Sequence, residues 1–580
     1  MTTDPVVDHL LNQRRWMPPL PFRALTVADG HRNPIEVGHN RLVVTALLFG
    51  AAFLVISARL VEVTLLGAPV EIRLMHAPHA YQAARADIVD RNGVLLATSL
   101  ATESVYAEPK KVPNPKDAAH RLASVLTDVK EETILGRLVS EKGFVYIRRN
   151  ITPRQEWDVN RLGIPGISFQ REDRRIYPQG PELAHVLGFS DVDNHGLAGV
   201  EKYFDTQLRG GTDPVELSID IRIQHIVREE VMAAMTEFQA IGGAGMMMDS
   251  RTGEILSMVS LPDFDPNDPG DAPDDARFNR DTLGVYEMGS TFKIFTLAMA
   301  LDAGTTTMTG GYDASHPIQI DRFTIKDDHA QNRWLSTPEI FIHSSNIGAA
   351  KMALDVGATG QHQFLDKLGL LHTPSFQIPE LGHPHIPMPW RPINVMTVAF
   401  GHGVSVSALQ TLTAANAVLN GGILIPATLQ KHDSNQPVAG PQVLSFKTSQ
   451  LMRKLMRLNV EIGTGRKGEV DGYLVGAKTG TAEKTGVGGY KHKALLSSFL
   501  SVFPINDPRY LVLVILDEPK GNKETFGHAT AAWVSAPAAA AIISRAGPIL
   551  GVPAVDQDSA EIRKSISIDL PQGAPRVATE

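Results

Sequence analysis

Leu42 to Ala58, LVVTALLFGAAFLVISA, is a run of 17 residues without a charge, bracketed by Arg41 and Arg59. A helix made of it is apolar on every side and must be hidden from water over its whole circumference. It would rise roughly 26 Å, at the short end for a hydrocarbon core of about 30 Å. Leu60, Val61 and Val63 extend the apolar face if Arg59 snorkels. A cleaved signal peptide carries a shorter apolar region behind a short basic segment. Here 41 residues precede the run and no clear A-x-A site follows it. A retained single-pass anchor over 42–58 is therefore expected. The preceding tail, 1–41, holds arginines 14, 15, 23, 32 and 41, whereas only Arg59 and Arg73 follow closely. The positive-inside rule puts that tail in the cytoplasm and the rest of the chain across the membrane.

The rest is long enough, in a chain of 580 residues, for more than one domain. A net charge of −8 lacks the basic footprint of a nucleic-acid binder. The absence of cysteine removes thiolate nucleophiles, cysteine-ligated metals and disulfides together. His383-Pro384-His385 has no H-E-x-x-H beside it and reads as a loop, so no metal or cofactor is expected.

Turn and cap signals organise the chain. Asp90-Arg91-Asn92-Gly93 between apolar runs predicts a hairpin. Asn114-Pro115 and the capping box at Thr152-Pro153-Arg154-Gln155 predict helix starts. Asp220 predicts the cap of a helix whose apolar face includes Ile223, Val227 and Val231, ended by Gly242-Gly243. Strands follow at 245–249 and 254–260, and again at 497–503 and 510–516. An alanine-rich helix covers 529–545, and residues 547–580 read as a loose polar tail. Strands arriving as hairpins favour an antiparallel sheet flanked by helices, an α+β fold.

Three segments carry chemistry. In Gly289-Ser290-Thr291-Phe292-Lys293 a serine and a lysine stand three apart at the start of a helix apolar on nearly every side. A buried lysine is costly to keep charged and becomes a base for the hydroxyl one turn away. Gly289 leaves room for a ligand. In Ser344-Ser345-Asn346, positions 344 and 346 share a site only if the helix breaks there, with Asn346 capping a new one toward Gly357. In Lys478-Thr479-Gly480-Thr481 a strand offers a cation and hydroxyls suited to a carboxylate, and Gly480 admits a substrate backbone.

The ordered set Ser290-x-x-Lys293, Ser344-x-Asn346, Lys478-Thr479-Gly480 resembles that of the class B penicillin-binding proteins, most closely their division-specific, FtsI-like type. Further boxes agree. Arg85-Ala86-Asp87-Ile88-Val89-Asp90-Arg91-Asn92-Gly93 has alanine where the family has glycine. Arg175-Ile176-Tyr177-Pro178, Ala184 to Phe189, Gly199-Val200-Glu201, Phe400-Gly401-His402-Gly403 and Gly463-Thr464-Gly465 also match. The likeness spans about 42–545.

The resemblance implies a mixed α/β pedestal, 59–235, of the dimerisation type and a transpeptidase domain, 236–546, with the serine β-lactamase-like fold. It implies a D,D-transpeptidase in the bacterial inner membrane at the division septum. Ser290 would be the nucleophile and Lys293 the base. Ser344 and Asn346 would relay protons and orient substrate, Lys478 would support the proton network, and Thr479 and Thr481 would hold the terminal carboxylate. Expected partners are peptidoglycan stem peptides, β-lactams, a SEDS-type glycosyltransferase and divisome membrane proteins. Other readings are an elongation-type transpeptidase, a β-lactamase, or a non-catalytic β-lactam sensor or scaffold. A β-lactamase needs a deacylating base, and no E-x-x-L-N-like run lies between Asn346 and Lys478.

Overall fold

The computed structural model describes residues 34–61, 85–320, 323–432, 438–486 and 489–568, in two compact units, Met1–Tyr81 and Gln82–Glu580. The first contributes helix α1, Pro34–Val61. Its side chains over 43–58 are exposed. The expected anchor is thus helical. Among the described residues, however, no helix is long and apolar enough to cross a membrane. Arginines 14, 15, 23, 32 and 73, on which the orientation rests, lie outside the described residues.

The second unit begins with a five-stranded sheet built from Ile88–Val89, Leu95–Ala107, Val145–Ile151, Ile167–Ile176 and Val215–Glu216. The hairpin at Asp90 is present. Its Oδ1 accepts from the N–H groups of Asn92 and Val94, both at 2.8 Å. The caps at Asn114 and Thr152 form as the sequence predicts. Boxes far apart in sequence meet here. Arg85 Nε donates to Glu201 Oε2 at 2.5 Å, and Arg175 Nε donates to Oε1 at 2.6 Å. Arg85 also reaches Asp205 at 2.7 Å. Two guanidiniums and two carboxylates neutralise one another, which is what permits Arg85, Arg175 and Glu201 to be buried.

Asp220 caps helix α2, Ile221–Glu237, by accepting from Arg222 N–H. The glycines expected to end that helix instead lie in strand β1, Gly242–Asp249. The helix stops earlier, near Gln239 (φ 48°). The glycines serve packing. A Cβ on Gly245 would come within 2.6 Å of Val227 Cγ1, and one on Gly243 within 2.7 Å of Val231 Cγ1. Their absence lets α2 lie close on the sheet.

That sheet is completed by β2, Ile255–Leu261, β3, Gly476–Gly486, β4, Gly489–Phe503, and β5, Tyr510–Asp517. Its order is β3-β4-β5-β1-β2, with every neighbouring pair antiparallel. Along β5, Leu511, Leu513 and Ile515 enter one core, and Val512, Val514 and Leu516 enter the other. Successive side chains of a strand point to opposite faces. Both faces are therefore buried, and β5 reads as an unbroken apolar run. Against one face pack α2 and a C-terminal helix, Ala531–Ile549. Against the other lie helices α3, Lys293–Asp302, α4, Asn346–Lys367, and α5, Phe446–Glu461.

Part of the expected loose tail is ordered. Ser559 caps a short helix, Ala560–Ile566, whose Ile566 is buried. Ile562 and Ile568 pack on the same core. Two isoleucines at i and i+4 share a helix face, enough to dock a segment whose other residues are polar.

Candidate active site

Ser290 lies in a 3₁₀ turn, Gly289–Phe292, that runs directly into α3. Lys293 is the first residue of α3 and is fully buried. Its Nζ donates to Ser290 Oγ at 2.7 Å, Asn346 Oδ1 at 2.7 Å and Ser344 O at 2.8 Å, with Ser344 Oγ at 3.2 Å. Burial pulls the ammonium down from 10.5 to about 7, against the opposing pull of Asp327 and Asp328. Asn346 Oδ1 and the Ser344 carbonyl can only accept. They take up two N–H groups, which is all a neutral amine has. In that neutral form the lone pair is left to accept from a hydroxyl, Ser290 Oγ at 2.7 Å or Ser344 Oγ at 3.2 Å.

The break needed to bring Ser344 and Asn346 together is present. The helix Thr337–Ile342 ends, Ser344 takes a left-handed conformation (φ 56°), and α4 begins at Asn346. The cap is Ser345, whose Oγ accepts from Gly348 N–H at 3.0 Å, and not Asn346 as the sequence suggested. A capping Asn346 would have its side chain turned onto its own helix. With Ser345 in that role, the Asn346 amide is available to Lys293. Its Nδ2 donates to Lys326 O at 3.0 Å, which fixes the carbonyl end toward the amine.

β3 lies at one end of the sheet order and brings in the third segment. Lys478, expected to offer a cation, is fully buried. Its Nζ donates to Ser344 Oγ at 3.1 Å and Thr479 O at 2.9 Å. Burial, with repulsion from Lys293, holds its ammonium well below the lysine range. Ser344 Oγ thus stands between two amines. Thr479 Oγ1 lies 2.7 Å from Thr464 Oγ1, and Thr464 is held in turn by Asn459 Oδ1. Thr481 Oγ1 accepts from Ala531 N–H at 3.2 Å, at the start of the C-terminal helix.

The glycines have a reason the sequence did not show. A Cβ on Gly480 would lie 2.2 Å from Thr291 Oγ1, 2.4 Å from Ser498 Oγ and 2.7 Å from Met288 O. One on Gly289 would lie 2.7 Å from Thr481 O. The space reserved at both is filled by the chain itself, where β3 presses on the turn bearing Ser290. Phe400-Gly401-His402-Gly403 lines this turn. Gly289 N–H donates to Gly401 O at 3.3 Å, and Gly403 N–H donates to Glu287 at 2.9 Å.

Sequence reasoning missed Asp327, Thr291, Ser498 and Asn459. No local motif marks any of them. Thr464 stood in a matched box without a role.

A serine within reach of a buried, depressed amine, on a helix start beside an antiparallel edge, is an arrangement suited to nucleophilic acyl chemistry. The family described as penicillin-binding protein transpeptidase domain matches residues 243–543, and the penicillin-binding protein dimerisation domain matches 80–231. The chain belongs to the class B, FtsI-like penicillin-binding proteins. It is 42% identical over 484 residues to the probable peptidoglycan D,D-transpeptidase FtsI of Caulobacter vibrioides, covering 81% of this chain and 82% of the relative. It is 30% identical over 493 residues to the peptidoglycan D,D-transpeptidase FtsI of Escherichia coli K12, covering 79% and 82%. The fold is similar to a crystal structure of penicillin-binding protein 3 from Mycobacterium tuberculosis complexed with aztreonam. That match has a TM-score of 0.66 at 23% identity and covers 84% of this chain and 99% of that one.

Proposed function

We propose that this protein is a peptidoglycan D,D-transpeptidase of the division septum, held in the bacterial inner membrane by the segment 42–58 with its N-terminus in the cytoplasm. A pedestal, 59–235, would carry a transpeptidase domain, 236–546. The observation that carries the reading is the position of the Lys293 amine, 2.7 Å from Ser290 Oγ and held by two oxygens that only accept.

Ser290 Oγ attacks the carbonyl carbon between the two D-alanines of a stem peptide while its proton passes to the Lys293 lone pair. The backbone N–H groups of Ser290 and Thr481 receive the oxyanion. Ser344, between the two amines, relays that proton from Lys293 to the departing nitrogen, which leaves Lys293 neutral again. The C–N bond breaks, and free D-alanine leaves an ester on Ser290. Asn346 orients both amine and substrate. Thr479 and Thr481 hold the terminal carboxylate, and Lys478 keeps Ser344 oriented. An amine of a second stem then attacks the ester and loses its proton to Lys293, which passes it to Ser290 Oγ as the ester C–O bond breaks, forming the cross-link. A β-lactam acylates Ser290 by the same attack, but its ring nitrogen stays tethered and does not diffuse away. A SEDS-type glycosyltransferase and divisome membrane proteins are the partners this role implies.

A stem peptide ending in D-Ala-D-Ala, supplied with an amine acceptor, tests the reading. Free D-alanine and a cross-linked product are expected in equal amounts, both absent in Ser290→Ala. Hydrolysis of a β-lactam with rapid turnover would favour a β-lactamase instead. Complementation of depleted cells by Ser290→Ala would favour a scaffold. A fluorescent fusion at midcell, not along the side wall, distinguishes division from elongation.

A further inference from the structure

We propose that Asp327 is a positioning residue for acylation, its carboxylate clamping the 345–347 turn so that Asn346 and Ser344 stay aimed at Lys293. The inference rests on the transpeptidase reading.

Asp327 follows the short strand Phe323–Ile325 and is 9% exposed. Its Oδ1 accepts from the backbone N–H groups of Asn346 at 2.6 Å and Ile347 at 2.9 Å. Its Oδ2 accepts from Ser345 Oγ at 2.7 Å. The neighbouring carbonyl of Lys326 takes the Asn346 amide. Two consecutive residues of one loop therefore grip three consecutive residues of another.

The grip has a purpose in the geometry. Ser344 sits at positive φ, a conformation that costs a non-glycine residue and persists only when its surroundings impose it. Its carbonyl and the Asn346 amide are the two acceptors that orient the Lys293 amine. Free N–H groups at the first turn of α4 need an acceptor, and a carboxylate there is also favoured by the helix dipole. Nothing in this arrangement requires Asp327 to touch substrate.

The charges facing Lys293 come from several elements. Lys293 itself helps to depress the neighbouring Lys478 on β3. Asp327 and Asp328 favour the protonated form of Lys293. His402 interacts with it and is itself influenced by Glu287 and Asp328. Removing the Asp327 charge takes away one of the two carboxylates that oppose burial, so the lysine loses its proton at lower pH.

The test reacts full-length protein in detergent with a fluorescent penicillin across a pH series, for wild type, Asp327→Asn and Asp327→Ala. Asp327→Ala is expected to lower the acylation constant about tenfold to a hundredfold, the scale of a misplaced reacting group. Asp327→Asn keeps one acceptor for the two N–H groups but offers none to Ser345. It is expected to lose less rate and to move the midpoint of the pH profile to lower pH. Unchanged constants in both variants would overturn the proposal. So would a reduced constant with an unmoved midpoint, which is the mark of a merely structural role. If Asp327→Ala does not fold, the same two readouts on Asp327→Asn decide. Failure of wild type to label at Ser290 would overturn the transpeptidase reading itself. Labelled wild type with indifferent Asp327 variants overturns only the clamp.

Discussion

Lys293 Nζ and Asn346 Oδ1 lie 2.7 Å apart, joining the first residue of α3 to the first residue of α4. The contact turns a buried amine into an oriented one. A carbonyl oxygen can only accept, so it holds an N–H and leaves the lone pair for a hydroxyl.

Lys293→Arg keeps a cation at the end of a long aliphatic stem but has no lone pair to offer near neutrality. Acylation by a fluorescent penicillin should fall by about 10²–10⁴-fold, the range for loss of a general base. The folded fraction, followed by thermal unfolding, should fall far less.

The same amine sets a pH dependence. Its folded value is lowered to about 7 by burial. The reactive form is the neutral one, which predominates above that value. Acylation should therefore rise with pH, pass its midpoint near 7 and drop about tenfold per unit on the acid side. Stopped-flow labelling across pH reads this directly. A rate flat from pH 6 to 9 would contradict it.

Gly480→Ala should uncouple β3 from the turn carrying Ser290. The added methyl meets a backbone carbonyl at 2.7 Å as well as two hydroxyls, so side-chain rotation alone cannot relieve it. Overpacking of this kind costs about 1–3 kcal/mol. Both the melting temperature and the acylation constant should fall, the constant by about tenfold or more, since small displacements of reacting groups are costly.

The pedestal makes a separate prediction. Glu201→Ala would leave Arg85 and Arg175 buried without the carboxylate they share. Breaking one member out of a buried ion cluster costs about 3–5 kcal/mol. Thermal unfolding should shift to lower temperature, while acylation of the folded fraction at 25 °C stays close to wild type.

The sequence carried the parts of this site that are local. Ser290 and Lys293 are one turn apart on a segment whose apolar character announces burial, and the hairpins of the central sheet follow from turn residues and period. It carried poorly what depends on distant contacts. Whether Asn346 or Ser345 caps α4 is decided by Lys293 and Lys326, each remote in the chain. Lys478 reads as a cation for a substrate carboxylate until its burial beside Lys293 and Phe341 is seen. Gly289 and Gly480 look like gaps left for a ligand, yet each is filled by the other's neighbourhood. The glycines of β1 resemble a helix stop because α2, which they accommodate, precedes them directly. The ordered helix at Ala560–Ile566 rests on two isoleucines in a polar stretch, too few to register as a pattern.

Peptide mapping by mass spectrometry after brief exposure to a penicillin tests the central claim most directly. One covalent adduct is expected, on the peptide containing Ser290, lost in Ser290→Ala and strongly reduced in Lys293→Arg. An adduct on another residue, or equal labelling of wild type and Ser290→Ala, would contradict it.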